Sequence, residues 1–163
     1  MLLTIAQWLQ DTAFGQWVST SSVAFPWIES CHVLCMTTVV GTITIVDLRL
    51  LNLTSRQRTV AQVSNDMLPF TWGAFALAAL TGGMLFMSKA TEYVVDLPFQ
   101  LKMLTMALAG INMVIFHFMV FKRVAEWDGK ADTPRAAKIA AGLSLLFWAT
   151  VIVCGRWIGF TVR

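Results

Sequence analysis

Four apolar stretches, each long enough to cross a bilayer, constrain this chain more than any other feature. A hydrocarbon core of about 30 Å takes roughly 20 helical residues to span. Stretches of that kind run from about Pro26 to Asn52, Leu68 to Ser88, Leu97 to Phe121 and Pro134 to Phe160. Val33 to Val46 in the first and Ile139 to Gly155 in the fourth carry no charge at all. Pro26, Pro98 and Pro134 fall at the predicted helix starts, where the missing amide proton would be unpaired anyway. No stretch alternates apolar and polar residues as a strand does, and a helix is then the way left to satisfy the backbone in lipid. The expected fold is all-α, a four-transmembrane-helix bundle.

Composition agrees. The 163 residues are 57% hydrophobic and 13% charged, against about 25% charged in a soluble domain. With half the usual charge, much of the surface must face lipid. The net charge of +3 comes from basic residues beside apolar runs, so it reads as topology bias and not as a nucleic-acid footprint. Cys31, Cys35 and Cys154 lie inside apolar segments and form no secreted disulfide framework. The opening run MLLTIAQWLQDTAFGQ has no Lys or Arg, which argues against a cleaved signal peptide.

Eight of the 12 basic residues flank one side: Arg49, Arg56, Arg58, Lys122, Arg123, Lys130, Arg135 and Lys138. Lys89, Lys102, Arg156 and Arg163 flank the other. By the positive-inside rule both termini are expected outside the cytoplasm, on the periplasmic side of a bacterial inner membrane. Trp8, Trp17, Trp27 and Trp157 then form an outer aromatic belt, with Trp72 and Trp127 at the inner interface. Residues 1–24 are too polar to span. Leu2, Ile5, Leu9 and Ala13 share a helical face, so an amphipathic helix lying on the outer surface is expected there, followed by the bundle at 25–163. The short polar loop EWDGKADT ends in Thr133, expected to cap the fourth helix ahead of Pro134. Ala136, Ala140 and Ser144 on helix four, Gly82 and Gly83 on helix two, and Ala109 and Gly110 on helix three are small residues suited to close helix packing.

Polar residues inside a span are costly and point to function. Glu29, His32, Asp47, His117 and Arg156 are the positions in question. Helices one and three run in the same direction. His32 sits early in the first and His117 late in the third, so a rise of 1.5 Å per residue separates them by roughly 20 Å in depth. The pair therefore cannot ligate one haem within a subunit. Near the outer face the run CHVLCM gathers Cys31, His32, Cys35 and Met36, with Met84, Met87, Met103 and Met106 at similar height. Thioether, thiol and imidazole suit Cu(I), and a His/Met pair also serves haem; apolar filler is the commoner role of such Met and Cys residues. Met103, Met106, Gly110, Met113 and His117 share one helix face, with Gly110 leaving a gap. Asp47 lies at about the depth of His117 and is expected to bond either to it or to Arg49, Arg56 or Arg58. Glu29 is expected to pair with Arg156 or Lys102. No HExxH, P-loop, GxSxG or CxxC motif is present, which excludes the familiar hydrolytic and phosphoryl-transfer classes and leaves enzymatic activity open.

The stretches IESCHVL, VDLRLLNL, TWGAFALAALTGGMLF, LPFQLKMLTMALAGINMVIFH and RAAKIAAGLSLLFWATVIVCGRWIGF together resemble an uncharacterised family of four-helix bacterial membrane proteins, a domain of unknown function. The resemblance covers about Pro26 to Phe160. It implies Glu29, His32, Asp47, Arg49, Lys102, Asn112, His117 and Arg156 as motif positions, with Cys31 and Cys35 outside the pattern. A distant likeness to small membrane redox and copper-resistance subunits is fold-level analogy.

Three functional expectations follow. The first is a non-catalytic membrane subunit for electron transfer that binds b-type haem at His32, with Met103 or Met106 as second ligand, and a separate haem at His117, whose own helix offers only Met113, which cannot reach the other haem face; Glu29, Asp47, Arg49, Asn112 and Arg156 give polar support. The second is copper handling through His32, Met36, Met84 and Cys35. The third is a cofactor-free structural or assembly subunit. Expected partners are the lipid bilayer and a second copy or a larger membrane complex, with no nucleic acid.

Overall fold

The computed structural model describes residues 1–55, 57–128 and 133–162. Every regular element among them is helical. α1 (Leu2–Gln10) and α2 (Ala13–Thr20) form an N-terminal arm. The bundle follows: α3 (Ala24–Leu50), α4 (Val60–Ser88), a short α5 (Ala90–Val95), α6 (Leu97–Ile115) and α8 (Arg135–Thr161). Between α6 and α8 the chain runs through a π-helical turn at Phe116–Val120, a 3₁₀ turn at Phe121–Arg123 and α7 (Val124–Trp127). Four continuous helical stretches, at Ala24–Leu50, Val60–Ser88, Leu97–Trp127 and Arg135–Thr161, are long and apolar enough to cross a membrane.

Several boundaries differ from the expected ones for local reasons. The N-terminal segment is two helices, because the Thr12 hydroxyl stops one and caps the next, accepting from the Gly15 amide at 3.1 Å. α4 starts at Val60, well before its apolar run, because TVAQ forms a capping box. The Gln62 amide donates to Thr59 Oγ1 at 3.2 Å and the Thr59 amide to Gln62 Oε1 at 3.0 Å. Asp128, from the end of the α6–α7 stretch, adds a second cap. It accepts from the amides of Val60 at 2.7 Å and Ala61 at 2.9 Å. Pro69 lies inside α4 without ending it, as lipid-spanning helices tolerate. α6 begins at a cap on Asp96, which accepts from the Phe99 amide at 3.0 Å. Thr133 does not cap α8. Its hydroxyl donates to Asn52 Oδ1 at 3.0 Å, and Pro134 occupies the cap position with no side-chain bond. Gly129–Asp132 of that loop lie outside the described residues.

α3 packs along α4, α6 along α8, and the two pairs meet through α3 and α8. α4 and α6 scarcely touch. Two apolar clusters hold the pairs together. Val39, Ala109, Trp148 and Val151 form one, with Met36, Ile43, Phe75 and Met106 around it. Leu50, Val60, Ala137 and Ala141 form the other, with Val46, Phe116, Phe121 and Trp127. The bundle thus has an arm end, where α1, α2 and α5 sit, and an arginine-rich end, where α3 ends and α4 begins. Little of the spans is covered: 6% of the most apolar window of the third is buried. Leu104, Leu108, Ile111, Val114 and Phe118 are exposed, the surface expected of a helix whose solvent is lipid.

At the arginine-rich end Arg49 is buried and ties the α3–α4 turn together. Its Nε donates to the Arg58 carbonyl at 2.7 Å and an NH group to Asn52 Oδ1 at 2.9 Å. Asn52 holds φ of 60°, a left-handed conformation that asparagine tolerates better than most residues. Arg58 pairs with Asp66. At the arm end Phe86 stacks on Tyr93 and on Phe99, and the Tyr93 and Phe99 rings meet tilted with centroids 5.4 Å apart. Trp8, Trp17, Trp27 and Trp157 are all exposed there.

A histidine–lysine site at the arm end and a buried carboxyl at the other

His32 is placed by α4. Its Nδ1 lies 3.0 Å from the Ala78 carbonyl and 3.1 Å from Thr81 Oγ1. The carbonyl can only accept, and the Thr81 hydroxyl already donates to Leu77 at 2.7 Å. Nδ1 therefore carries the proton, and Nε2 keeps its lone pair. Nε2 has no hydrogen-bond partner among the described residues and is not sealed from the exterior. Gly82 makes this seating possible: a Cβ there would stand 3.0 Å from His32 Cε1. Across the bundle Lys102 on α6 is near enough for its charge to act on His32. Its Nζ lies over Gly155, 3.7 Å from where a Cβ would be, and beside Cys154. Lys102 forms no ion pair with a carboxylate among the described residues.

Glu29 pairs with neither Lys102 nor Arg156. It faces Tyr93, whose phenol is pushed above its ordinary range, first by burial and then by Glu29, Glu92 and Asp96. Arg156 is exposed and lies over the Phe160 ring at 5.1 Å. Both outcomes follow from side-chain direction: Arg156 sits on the outward face of α8, two positions beyond the buried Cys154.

His117 stands near the opposite end from His32, as the depth argument requires. It is exposed, in the π-helical turn, and stacks on Phe121 with centroids 5.0 Å apart. The expected Asp47–His117 bond is not formed. α3 and α6 make no extensive contact, and the polar side chain that acts on the Asp47 carboxyl is Ser144 of α8. Asp47 is 5% exposed, and its Oδ2 has no partner among the described residues. Arg49 and Arg58 are directed elsewhere, and Arg56 lies outside the described residues. Asn112 donates from Nδ2 to the Ala140 carbonyl at 2.9 Å, one turn from Ser144.

Of the expected metal ligands, Met36 and Met106 pack against the larger core cluster and Met84 is half-buried on α4. Met103 and Met113 are exposed, and a Cβ on Gly110 would meet nothing within 4 Å. Cys31 and Cys35 are free thiols one turn apart on α3. Among the described residues no three His, Cys, Asp or Glu side chains converge. Lys102, Ser144 and Gly82 acquire roles that sequence reading did not give them. Each had a sequence signal of its own: a lysine inside a span, a hydroxyl in a small-residue stripe, a glycine in a helix.

A family model of unknown function matches residues 5–161, nearly the whole chain. The chain belongs to the DUF6644 family. No curated protein and no solved structure matches it. Membership in DUF6644 assigns no activity, so function has to be argued from the side chains. Two polar places in this DUF6644 chain stand out against its apolar bundle: the imidazole and ammonium at the arm end, and the carboxyl of Asp47 near the arginine-rich end.

Proposed function

We propose that this protein is a small inner-membrane subunit that holds a redox cofactor, a b-type haem, on His32 for electron transfer, with both termini on the periplasmic side. The observation that carries the reading is the His32 hydrogen bond to Ala78. Metal-binding histidines almost always donate their other ring N–H to a carbonyl or carboxylate, which fixes the tautomer and makes the free nitrogen more basic. Here Nδ1 is committed in that way and Nε2 is uncommitted. Lys102 supports the reading, because its ammonium, with no ion pair among the described residues, is suited to a carboxylate substituent of the cofactor. Met106, on the same helix as Lys102, is the thioether available as a second ligand. Bound haem would supply a one-electron couple; the chain supplies the oriented imidazole, the cation and an apolar surround.

His117 does not share these properties, since its ring is directed outward and stacked. A cofactor on it would need a second copy or another subunit to complete the site. The test is the absorption spectrum of protein purified from haem-replete cells. A Soret band that is lost in His32→Ala and kept in His117→Ala is expected. A folded, colourless wild-type preparation would end this reading.

The placing of Cys31 and Cys35 one turn apart on α3 favours copper handling as a second reading, since adjacent soft thiols select Cu(I). Metal analysis after Cu(I) loading decides it. About one equivalent, lost in Cys35→Ser, is the outcome that would support it.

A further inference from the structure

Asp47 is not accounted for by packing or by the cofactor reading. It is 5% exposed, and among the described residues Oδ2 meets no donor. An ionised carboxylate has about four acceptor positions to fill, whereas Ser144 offers one hydroxyl. The layer is closed on both sides. Val39, Ala109, Trp148 and Val151 lie toward the arm end, and Leu50, Val60, Ala137 and Ala141 toward the other. Ionic groups on the surrounding elements serve elsewhere. On α3, Arg49 holds the Arg58 carbonyl and Asn52. On α4, Asp66 is paired with Arg58. On the α6 side, His117 stacks on Phe121 and Arg123 pairs with Glu126, while Asp128 caps α4. On α8, Lys138 lies nearly two turns beyond Ser144, and among the described residues no charged group bears on the Asp47 carboxyl.

A hard metal cation takes roughly six oxygen ligands, far more than Asp47 and Ser144 provide. A proton needs one. We propose that Asp47 is a proton-binding site. Its carboxyl takes H⁺ from the aqueous phase at the arginine-rich end and holds it as a neutral acid beside Ser144. One O–H bond forms on a carboxylate oxygen, the proton comes from water, and no electron moves. A neutral acid, with one hydrogen to give and fewer acceptor positions to fill, suits a site that supplies a single hydroxyl. Asp47 lies one turn from the end of α3, so the route to water at that end is short. The site stands whether or not His32 holds a cofactor.

Infrared spectroscopy of the full chain in lipid tests this. At neutral pH, subtracting the Asp47→Asn spectrum from wild type should leave one neutral-carboxyl C=O stretch, sensitive to D₂O. That band should move in Ser144→Ala and should not change when sodium replaces potassium. Carboxylate bands in the difference at neutral pH would overturn the proposal, and carboxylate bands that respond to sodium would replace the proton with a metal cation. Should Asp47→Asn fail to fold, Asp47→Glu serves: the neutral-carboxyl band must shift in frequency, and a band left unmoved overturns the assignment.

Discussion

The ring of His32 rests on the bare backbone of Gly82, with Cε1 3.0 Å from the point a Cβ would occupy. Its neighbour Gly83 has nothing within 4 Å of the same point. Two adjacent glycines in one helix therefore do different things, and alanine separates them. Gly82→Ala should force the ring off Ala78 at a cost of about 1–3 kcal/mol. Gly83→Ala should be neutral or stabilise by up to about 1 kcal/mol, since alanine is the better helix former. Thermal unfolding in detergent reads both, and the haem reading adds loss of colour in Gly82→Ala alone.

Gly15 is the point where the arm meets the bundle. A Cβ there would stand 2.9 Å from the carbonyl oxygens of Leu9 and Gln10 and 3.0 Å from that of Met87. Backbone cannot step aside as a side chain can. Gly15→Ala should lift α2 from the end of α4 while leaving the bundle folded. Limited proteolysis should then cut the arm first, and an arm as resistant as wild type would show that α2 is not held there.

Asp128 links two spans by capping the first turn of α4 with both carboxylate oxygens. Losing a cap costs about 0.5–2 kcal/mol. Asp128→Ala should lower the unfolding temperature accordingly. Thr59→Ala should cost a similar amount, and the pair should not be additive, because both serve the same helix end.

Tyr93 is the single tyrosine of the chain, so its ionisation can be followed by ultraviolet absorbance without assignment. Burial, then Glu29, Glu92 and Asp96, raises its phenol above the ordinary value, which is about 10. The stabilising contribution is complete below that unfolded value and is lost as pH rises through the folded one. The expected observations are a midpoint above that of free tyrosine, a fall toward it in Glu29→Gln, and weaker alkaline destabilisation in Tyr93→Phe. A midpoint at the free value would mean that the phenol is not enclosed by the arm-end cluster.

Much of the bundle was legible in sequence. Apolar length gave the four spans because burial of backbone polar groups leaves lipid-spanning segments little choice. The depth difference between His32 and His117 came from helical rise alone. Helix ends were less legible where polar turns carry on past the apolar run: α4 starts at the Thr59 capping box, and the third span continues beyond Ile115 through π and 3₁₀ turns. Side-chain partners were the least legible. Asp47 and His117 share a depth but not a face, and the carboxyl meets Ser144, a residue that reads in sequence as mere packing.

The chain's composition and periodicity settle by themselves that it forms four helices long and apolar enough to cross a membrane, because each such stretch answers to its apolar length before it answers to its neighbours. Which helices pair, that α4 and α6 stay apart, that Lys102 is brought to His32 and that Asp47 is left with an unmatched oxygen are decided only in the folded bundle. The rotation of each helix about its own axis sets those contacts, and that rotation follows from the packing of all four spans together.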